Sequence, residues 1–361
     1  MAHVLLTGGS GFIALHIIKV LLEQGHSVIT TVRSQAKADI ISQSFSGYSP
    51  DKLGFVFVPD VGQLGAFDEA VRSDPPFDAV IHTASPVTYE VKNIQADLIN
   101  PAINGTTNIL QAIKAGAPTV KRVVITGSFV SMLDMSKGLR PGHTYDETDW
   151  SPITAEEALA NPASGYAASK TFAEKTAWNF QSEESPSFTL SVILPPLVFG
   201  PALQRLNNLD SLSESNQFIR SFFNGSMNNE IPAAEYPVFA DVRDIALAHV
   251  RAMEEPEAGN KRLFVANGHF SNRDIIGIIR KRSAKYRVSL PSEHLPGGGK
   301  CYENTGSVIM TTTDNSIELP EDVFSINTQR SVNILGMEYR TLEDCIADTV
   351  ESFAAVESRD T

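Results

Sequence analysis

The chain has 361 residues, of which 42% are hydrophobic and 20% charged, enough apolar material for a large buried core; fibrous, collagen-like and wholly disordered classes are excluded. Its 29 Lys and Arg stand against 42 Asp and Glu, a formal charge of −13, and such a surface repels phosphate backbones and anionic lipid. No nucleic acid and no membrane is expected as a partner, which leaves small molecules. The two cysteines, Cys301 and Cys345, form neither a disulfide framework nor a metal spacing, and the first residues, Met1-Ala2-His3-Val4-Leu5-Leu6, lack the layout of a signal peptide. A reducing, cytoplasmic setting is expected. The apolar stretch from Leu190 to Phe199 is too short to cross a membrane and is broken by Pro195 and Pro196.

His3 to Thr7 reads as a strand, followed by a glycine turn and a helix over Phe12 to Gln24 with apolar residues at Phe12, Leu15, Ile18, Leu21 and Leu22. Further strands are predicted at Ser27–Val32, Gly54–Pro59, Ala79–Thr83, Arg122–Thr126 and Thr189–Leu194, most of them nearly continuous apolar runs. Helices are predicted at Ala66–Arg72, Pro101–Ala115 and Tyr166–Gln181. Strands of this kind alternating with helices predict an α/β Rossmann-type doubly wound parallel sheet, covered on both faces. The polar patch Asn207 to Asn216 reads as one mobile loop. A strand-helix unit at Val238–Met253 and a strand at Arg262–Ala266 follow, then helices at Asn272–Arg282 and Leu342–Phe353, the latter capped by Thr341. The expected domains are a dinucleotide-binding unit over 1–200, rejoined by 236–268, and a smaller substrate-binding lobe from 201–235 and 269–361.

Thr7-Gly8-Gly9-Ser10-Gly11-Phe12-Ile13-Ala14 joins the first strand to the first helix. Gly8 permits the tight turn, Gly11 lets a pyrophosphate approach, and the helix then offers its first N–H groups, at Phe12 and Ile13. After the second strand, where an NAD-specific protein carries a carboxylate for the ribose, the chain reads Thr31-Val32-Arg33-Ser34-Gln35-Ala36-Lys37. Arg33 and Lys37 suit a 2′-phosphate, so NADPH is the expected cofactor. Asp60 follows the third strand, in reach of an adenine amino group.

Tyr166 and Lys170 are one helical turn apart and share a face, so the ammonium is expected to make the phenol more acidic. Ser128 follows the fifth strand, at the carboxyl edge where such sheets bind ligands. Together the three form a plausible carbonyl-reducing constellation: Ser128 bonds the carbonyl oxygen and Tyr166 gives it a proton. Val87, Tyr89, Phe129, Val130, Phe199 and Leu203 flank these motifs and would make an apolar substrate wall. The histidines show no metal spacing, so no metal is expected, and His82 reads as a packed residue. Asp146, Glu147 and Asp149 read as loop solvation and capping; Asn104 or Asn108 could hold a relay water.

On Thr7 to Ala14, His82-Thr83-Ala84-Ser85-Pro86, Asn104-Gly105-Thr106, the Ser128/Tyr166/Lys170 set, Pro195 to Pro201 and Asp241-Val242-Arg243-Asp244, the chain resembles the extended short-chain dehydrogenases/reductases. Thr31 to Ser34, Asp60-Val61 and Phe172 to Trp178 look most like the NADPH-dependent methylglyoxal and aldehyde/ketone reductase branch, related to dihydroflavonol and cinnamoyl-CoA reductases. The resemblance implies a carbonyl reductase in which Tyr166 donates the proton and Lys170 holds the nicotinamide ribose. It further implies cofactor contacts from Val61, Thr83, Ala84, Ser85, Pro195, Val198 and Ser215, and a homodimer through the helices around 101–115 and 166–181. Gly127, where many relatives carry Ser, and Leu194-Pro195-Pro196-Leu197, in place of an Asn-Pro opening, depart from the pattern. Two other functions remain open on the residues: a nucleotide-sugar epimerase or dehydratase with bound NAD, and a non-catalytic NADP-sensing regulator.

Overall fold

The computed structural model describes residues 1–85, 91–203, 209–225, 227, 229–299 and 322–358. Strands β1 (His3–Thr7), β2 (Ser27–Val32), β3 (Leu53–Phe57), β4 (Ala79–His82) and β5 (Arg122–Thr126) alternate with helices α1 (Phe12–Glu23), α2 (Gln35–Ser44) and α3 (Asn100–Gly116). A two-residue strand, β6 (Thr144–Tyr145), precedes the long helix α4 (Pro162–Glu184), then β7 (Thr189–Leu194) and β8 (Leu197–Phe199). The remainder holds α5 (Glu214–Ser221), β9 (Val238–Asp241), α6 (Val242–Glu254), β10 (Lys261–Phe264), β11 (Gly268–His269), α7 (Asn272–Arg282), β12 (Ser325–Ile326), α8 (Gln329–Leu335) and α9 (Leu342–Glu357).

Seven strands form one sheet in the order β10-β7-β5-β4-β1-β2-β3, and every neighbouring pair is parallel. This is the expected doubly wound sheet, and its side chains explain why: alternate residues go to opposite faces. Val4, Leu6, Ile81, Val124 and Ile193 join the core under α1 and α6. Leu5, Val80, Val123, Val192 and Leu194 join the core under α3, with Ala177 of α4. All ten of these strand residues are fully buried at 0% exposure, so both faces of the sheet's central strands are covered. β8, β9 and β11 make a small mixed sheet, and β6 pairs with β12.

Three sequence expectations change. The segment Ala66–Arg72 forms turns rather than a helix, opened by Gly65 at φ 75°, and Phe67, Ala70 and Val71 are nonetheless buried. The described part of the Asn207–Asn216 patch holds a 3-10 turn at Leu209–Ser211 and the start of α5, with Leu209 and Asn216 buried. Helix α2 was not foreseen: its only buried residues are Ala38 and Ile41, too few to print a periodic pattern.

Two of the aromatic candidates for a substrate wall, Phe129 and Phe199, are core. Phe129 stacks on Phe264 with ring centroids 4.8 Å apart and meets Tyr145 edge-on. Phe199, at 0% exposure, stacks on Phe218 and Phe239 and meets Phe270 edge-on. Both fill spaces between sheet and helices, where burial outweighs any role at a surface. Phe199→Ala should therefore cost about 3–5 kcal/mol of stability in urea denaturation; a variant as stable as the parent would place the ring at a ligand-facing surface instead.

Candidate active site

The chain winds outward from β1 in both directions, β2 and β3 on one side and β4, β5, β7 and β10 on the other, so a crevice opens beyond the carboxyl ends of β1 and β4. Thr7 closes its floor. Its Oγ1 lies 2.8 Å from His82 Nδ1 and accepts from the Ala84 N–H at 3.1 Å, while its carbonyl accepts from Thr83 Oγ1 at 2.6 Å. His82, buried against Phe67, is pushed down to about 3 by burial and by the Lys170 charge, so it is a neutral packed residue, as expected.

Gly8 adopts φ 76°, and a Cβ there would sit 2.9 Å from the Ala84 backbone. Only glycine meets both conditions. The Gly8 N–H donates to Thr31 Oγ1 and the Gly9 N–H to the Thr31 carbonyl, which pins the turn onto β2. Helix α1 begins after Gly11 with no side-chain cap and no acid in its first turn. Its leading N–H groups at Phe12 and Ile13 thus face outward without a competing carboxylate, the arrangement that suits a phosphate.

Arg33 ends its strand region exposed, and Lys37 lies exposed in the first turn of α2, which also lacks an acid and a side-chain cap. Neither takes an ion-pair partner among the described residues. Asp60 is exposed and accepts from the Gly62 N–H at 2.9 Å, so one of its oxygens serves the turn. Val61 is buried against Gly105, and its carbonyl accepts from Asn108, which also donates to the Gln63 carbonyl. Asn108 therefore braces this loop and its amide has no donor left for a relay water. These residues fit an adenosine diphosphate carrying a further phosphate, from the glycine turn to Arg33.

Ser128 caps a 3-10 turn after β5, where its Oγ accepts from the Val130 N–H at 3.4 Å, and its hydroxyl faces the Tyr166 phenol. Gly127 before it has no room for a side chain: a Cβ would meet Val192 Cγ1 at 2.8 Å and Leu194 Cδ2 at 2.9 Å. Tyr166 and Lys170 share a face of α4, with Lys170 Nζ 5.8 Å from the phenol ring centre. The phenol is not made more acidic, contrary to the expectation from its spacing to Lys170. Burial raises it, the Glu214 charge raises it further, and only the Ser128 hydroxyl opposes them. Lys170 is itself lowered by burial to about 8.

Of the remaining candidates, Thr83, Ala84 and Ser85 line the crevice edge after β4; Pro195 is buried and its carbonyl accepts from the Phe129 N–H; Val198 is buried in β8; Ser215 lies partly buried in the first turn of α5. Val130 and Leu203 are partly buried, and Val87 and Tyr89 lie outside the described residues. Glu147 is buried rather than solvated, its Oε1 accepting from the Phe264 N–H, while Asp146 and Asp149 do cap their loop. Thr7, Thr31 and Glu214 were missed. The two threonines stand at strand ends beside the glycine turn, which was the available signal; nothing in the sequence tied Glu214 to Tyr166.

A family model, "NAD dependent epimerase/dehydratase family", matches residues 4–266. The chain belongs to this family. A ketoreductase of Aspergillus niger, azaE, is 38% identical over 97% of this chain and 96% of its own. Two solved structures, yeast methylglyoxal/isovaleraldehyde reductase Gre2 complexed with NADPH and Candida albicans Gre2 in complex with NADPH, are 32% and 34% identical, cover 99% of both chains and superpose with a TM-score of 0.86. Among the described residues no helix is long and apolar enough to cross a membrane, and no group of His, Cys, Asp and Glu is arranged to hold a metal.

The lowered lysine has a measurable consequence. The unfolded chain keeps the Lys170 proton toward its ordinary 10.5 while the folded chain releases it at about 8, so at lower pH the fold carries a buried charge at a cost that fades as pH rises between those values. Lys170→Met should raise the urea midpoint of the cofactor-free protein at about pH 7, and the gain should shrink toward about pH 10. A midpoint unchanged or lowered at neutral pH would contradict the burial.

Proposed function

We propose that the protein is an NADPH-dependent carbonyl reductase that converts an aldehyde or ketone to an alcohol. The observation that carries this reading is the convergence of Ser128, Tyr166 and Lys170 at the carboxyl edge of the sheet, next to a glycine turn suited to phosphate. NADPH, when bound, supplies the hydride.

The chain's own residues supply placement and the proton. The two hydroxyls, Ser128 Oγ and Tyr166 Oη, are held together at one point, where a substrate oxygen can accept from both. Because burial raises the phenol, it stays protonated at neutral pH, which is the form a proton donor needs. An alkoxide is far more basic than a phenolate, so transfer to it remains downhill even from a weakened acid. The Ser128 hydroxyl, the one group that favours the ionised phenol, stabilises the phenolate left behind, and Lys170, 5.8 Å from the ring centre, holds the nicotinamide ribose. Arg33 and Lys37 give the 2′-phosphate two cations, whereas a carboxylate there would repel it.

The same reading assigns 1–200 with 236–268 to the cofactor and 201–235 with 269–361 to the substrate; the third apolar core, from Phe199 to Val356, packs α5, α7 and α9 of the second part against β8 and β9 of the first. A homodimer through α3 and α4, with Val130 and Leu203 facing a carbonyl compound bearing an apolar substituent, completes the proposal. Cysteine usage supports a reducing, cytoplasmic location: Cys345 is a buried free thiol.

Tyr166→Phe keeps the ring and removes the proton; turnover with methylglyoxal and aryl ketones should fall at least ~100-fold while NADPH binding is retained. Near-parental turnover would remove Tyr166 from the reaction. Arg33→Asp should raise the NADPH KM by about tenfold or more and leave that for NADH nearly unchanged. Equal changes for both cofactors, or tightly held NAD in the purified protein, would favour the epimerase or dehydratase chemistry open to this family.

A further inference from the structure

The outer edge of the sheet, at β10, carries an open cavity of about 360 Å³ lined by Trp150, Trp178, Asn260, Lys261, Arg262 and Arg330. Lys261 begins β10, an edge strand, whereas Ser128 lies beyond the far end of parallel β5. Tyr166 and Trp178 are both on α4, twelve positions and so about 18 Å apart along its axis. This cavity is therefore separate from the site described above.

Its chemistry is one-sided. Both tryptophans of the chain line it. Trp150 carries the Arg262 guanidinium 3.7 Å from its ring centre and Lys175 Nζ at 5.7 Å. Arg262 is fully engaged: Nε donates to Glu174 at 2.6 Å, and Nη1 donates to the Glu147 and Asp149 carbonyls. Trp178 Nε1 donates to the same Glu174. Arg330 donates to the Arg262 carbonyl and lies 3.7 Å from Glu147. Glu174 and Glu147 are thus occupied by arginines, and both carboxylates are buried behind the lining rather than part of it.

The donors left at the surface face no acceptor. Asn260 Oδ1 already accepts from the Leu190 N–H, so its amide presents N–H groups. Lys261 is exposed, and neither its ammonium nor the Trp150 indole N–H takes a partner among the described residues. A lining of indole surface, amide and indole N–H donors and an unneutralised ammonium, in a chain of formal charge −13, is locally opposite to the rest of the molecule. We propose that this cavity is a second ligand site, for an aromatic carboxylate: the ring lies against the indoles and the carboxylate pairs with Lys261 and the neighbouring N–H donors. Its volume falls in the range of small-molecule sites.

Because the only tryptophans line the cavity, intrinsic emission reads occupancy directly. Benzoate titrated into the full chain saturated with NADP⁺ should shift or quench that emission saturably, and neutral benzamide should not. Lys261→Glu should weaken the benzoate response at least ~10-fold while leaving carbonyl reduction at the parental rate; Trp178→Phe should keep a response from Trp150. Tyr166→Phe should bind benzoate as the parent does. The proposal is overturned by no saturable response, by an equal response to benzamide, by abolition with NADP⁺, or by an unaltered response in Lys261→Glu. None of those outcomes touches the reductase reading, which is judged on turnover.

Discussion

The crevice exists because two adjacent parallel strands send their chains away in opposite directions, and a gap between them needs something to hold its lips at a set distance. Thr7 does this with three hydrogen bonds to His82, Thr83 and Ala84, and Gly8 then passes within contact of the Ala84 backbone. The glycine is small because the lips are close, and the lips are close because the threonine ties them. On the other side Thr31 holds the Gly8 and Gly9 N–H groups. The turn is preorganised before any ligand arrives, so its amides need little reordering to meet a phosphate.

The proton chemistry follows from burial more than from pairing. A lysine one turn from a tyrosine suggests an acidic phenol, yet in the cofactor-free protein the same burial acts on both groups, raising Tyr166 and lowering Lys170. Both shifts favour neutral forms, as a low-dielectric site dictates. The raised phenol is thereby kept in its protonated form, the form that the proposed reduction requires of it. Its opposition comes from Ser128, whose hydroxyl is the one contribution that favours phenolate, so the serine moderates its neighbour's proton affinity.

Strands with apolar residues on both faces print continuous hydrophobic runs, which is why the parallel sheet, the glycine turn and the order Ser128, Tyr166, Lys170 were legible in the sequence. Helix α2 was not, since only Ala38 and Ile41 face inward. Phe129 and Phe199 misled for the converse reason: an aromatic beside a site motif looks the same in sequence whether it faces ligand or core, and only the stacks on Phe264 and Phe239 distinguish them. Glu147 misled because its partner, the Phe264 N–H, lies 117 residues away in sequence. Long-range satisfaction of a buried charge leaves no local trace.

Gly127 shows how packing at a distance sets the position of a reactive group. In sequence its missing side chain reads as a loss beside the site. In the fold, β7 presses so closely on this residue that Val192 and Leu194 occupy the space a Cβ would need, while the Gly127 N–H donates to the Ile193 carbonyl. The next residue, Ser128, therefore leaves the sheet from a point locked by both packing and a backbone hydrogen bond, and the Phe129 N–H is caught at once by the Pro195 carbonyl. The serine hydroxyl has little freedom except toward Val130 and Tyr166. Replacing the glycine by a larger residue would push β5 from β7, and the displacement would be felt at the serine that follows; the position of that hydroxyl is thus inherited from the tight seam between two core strands.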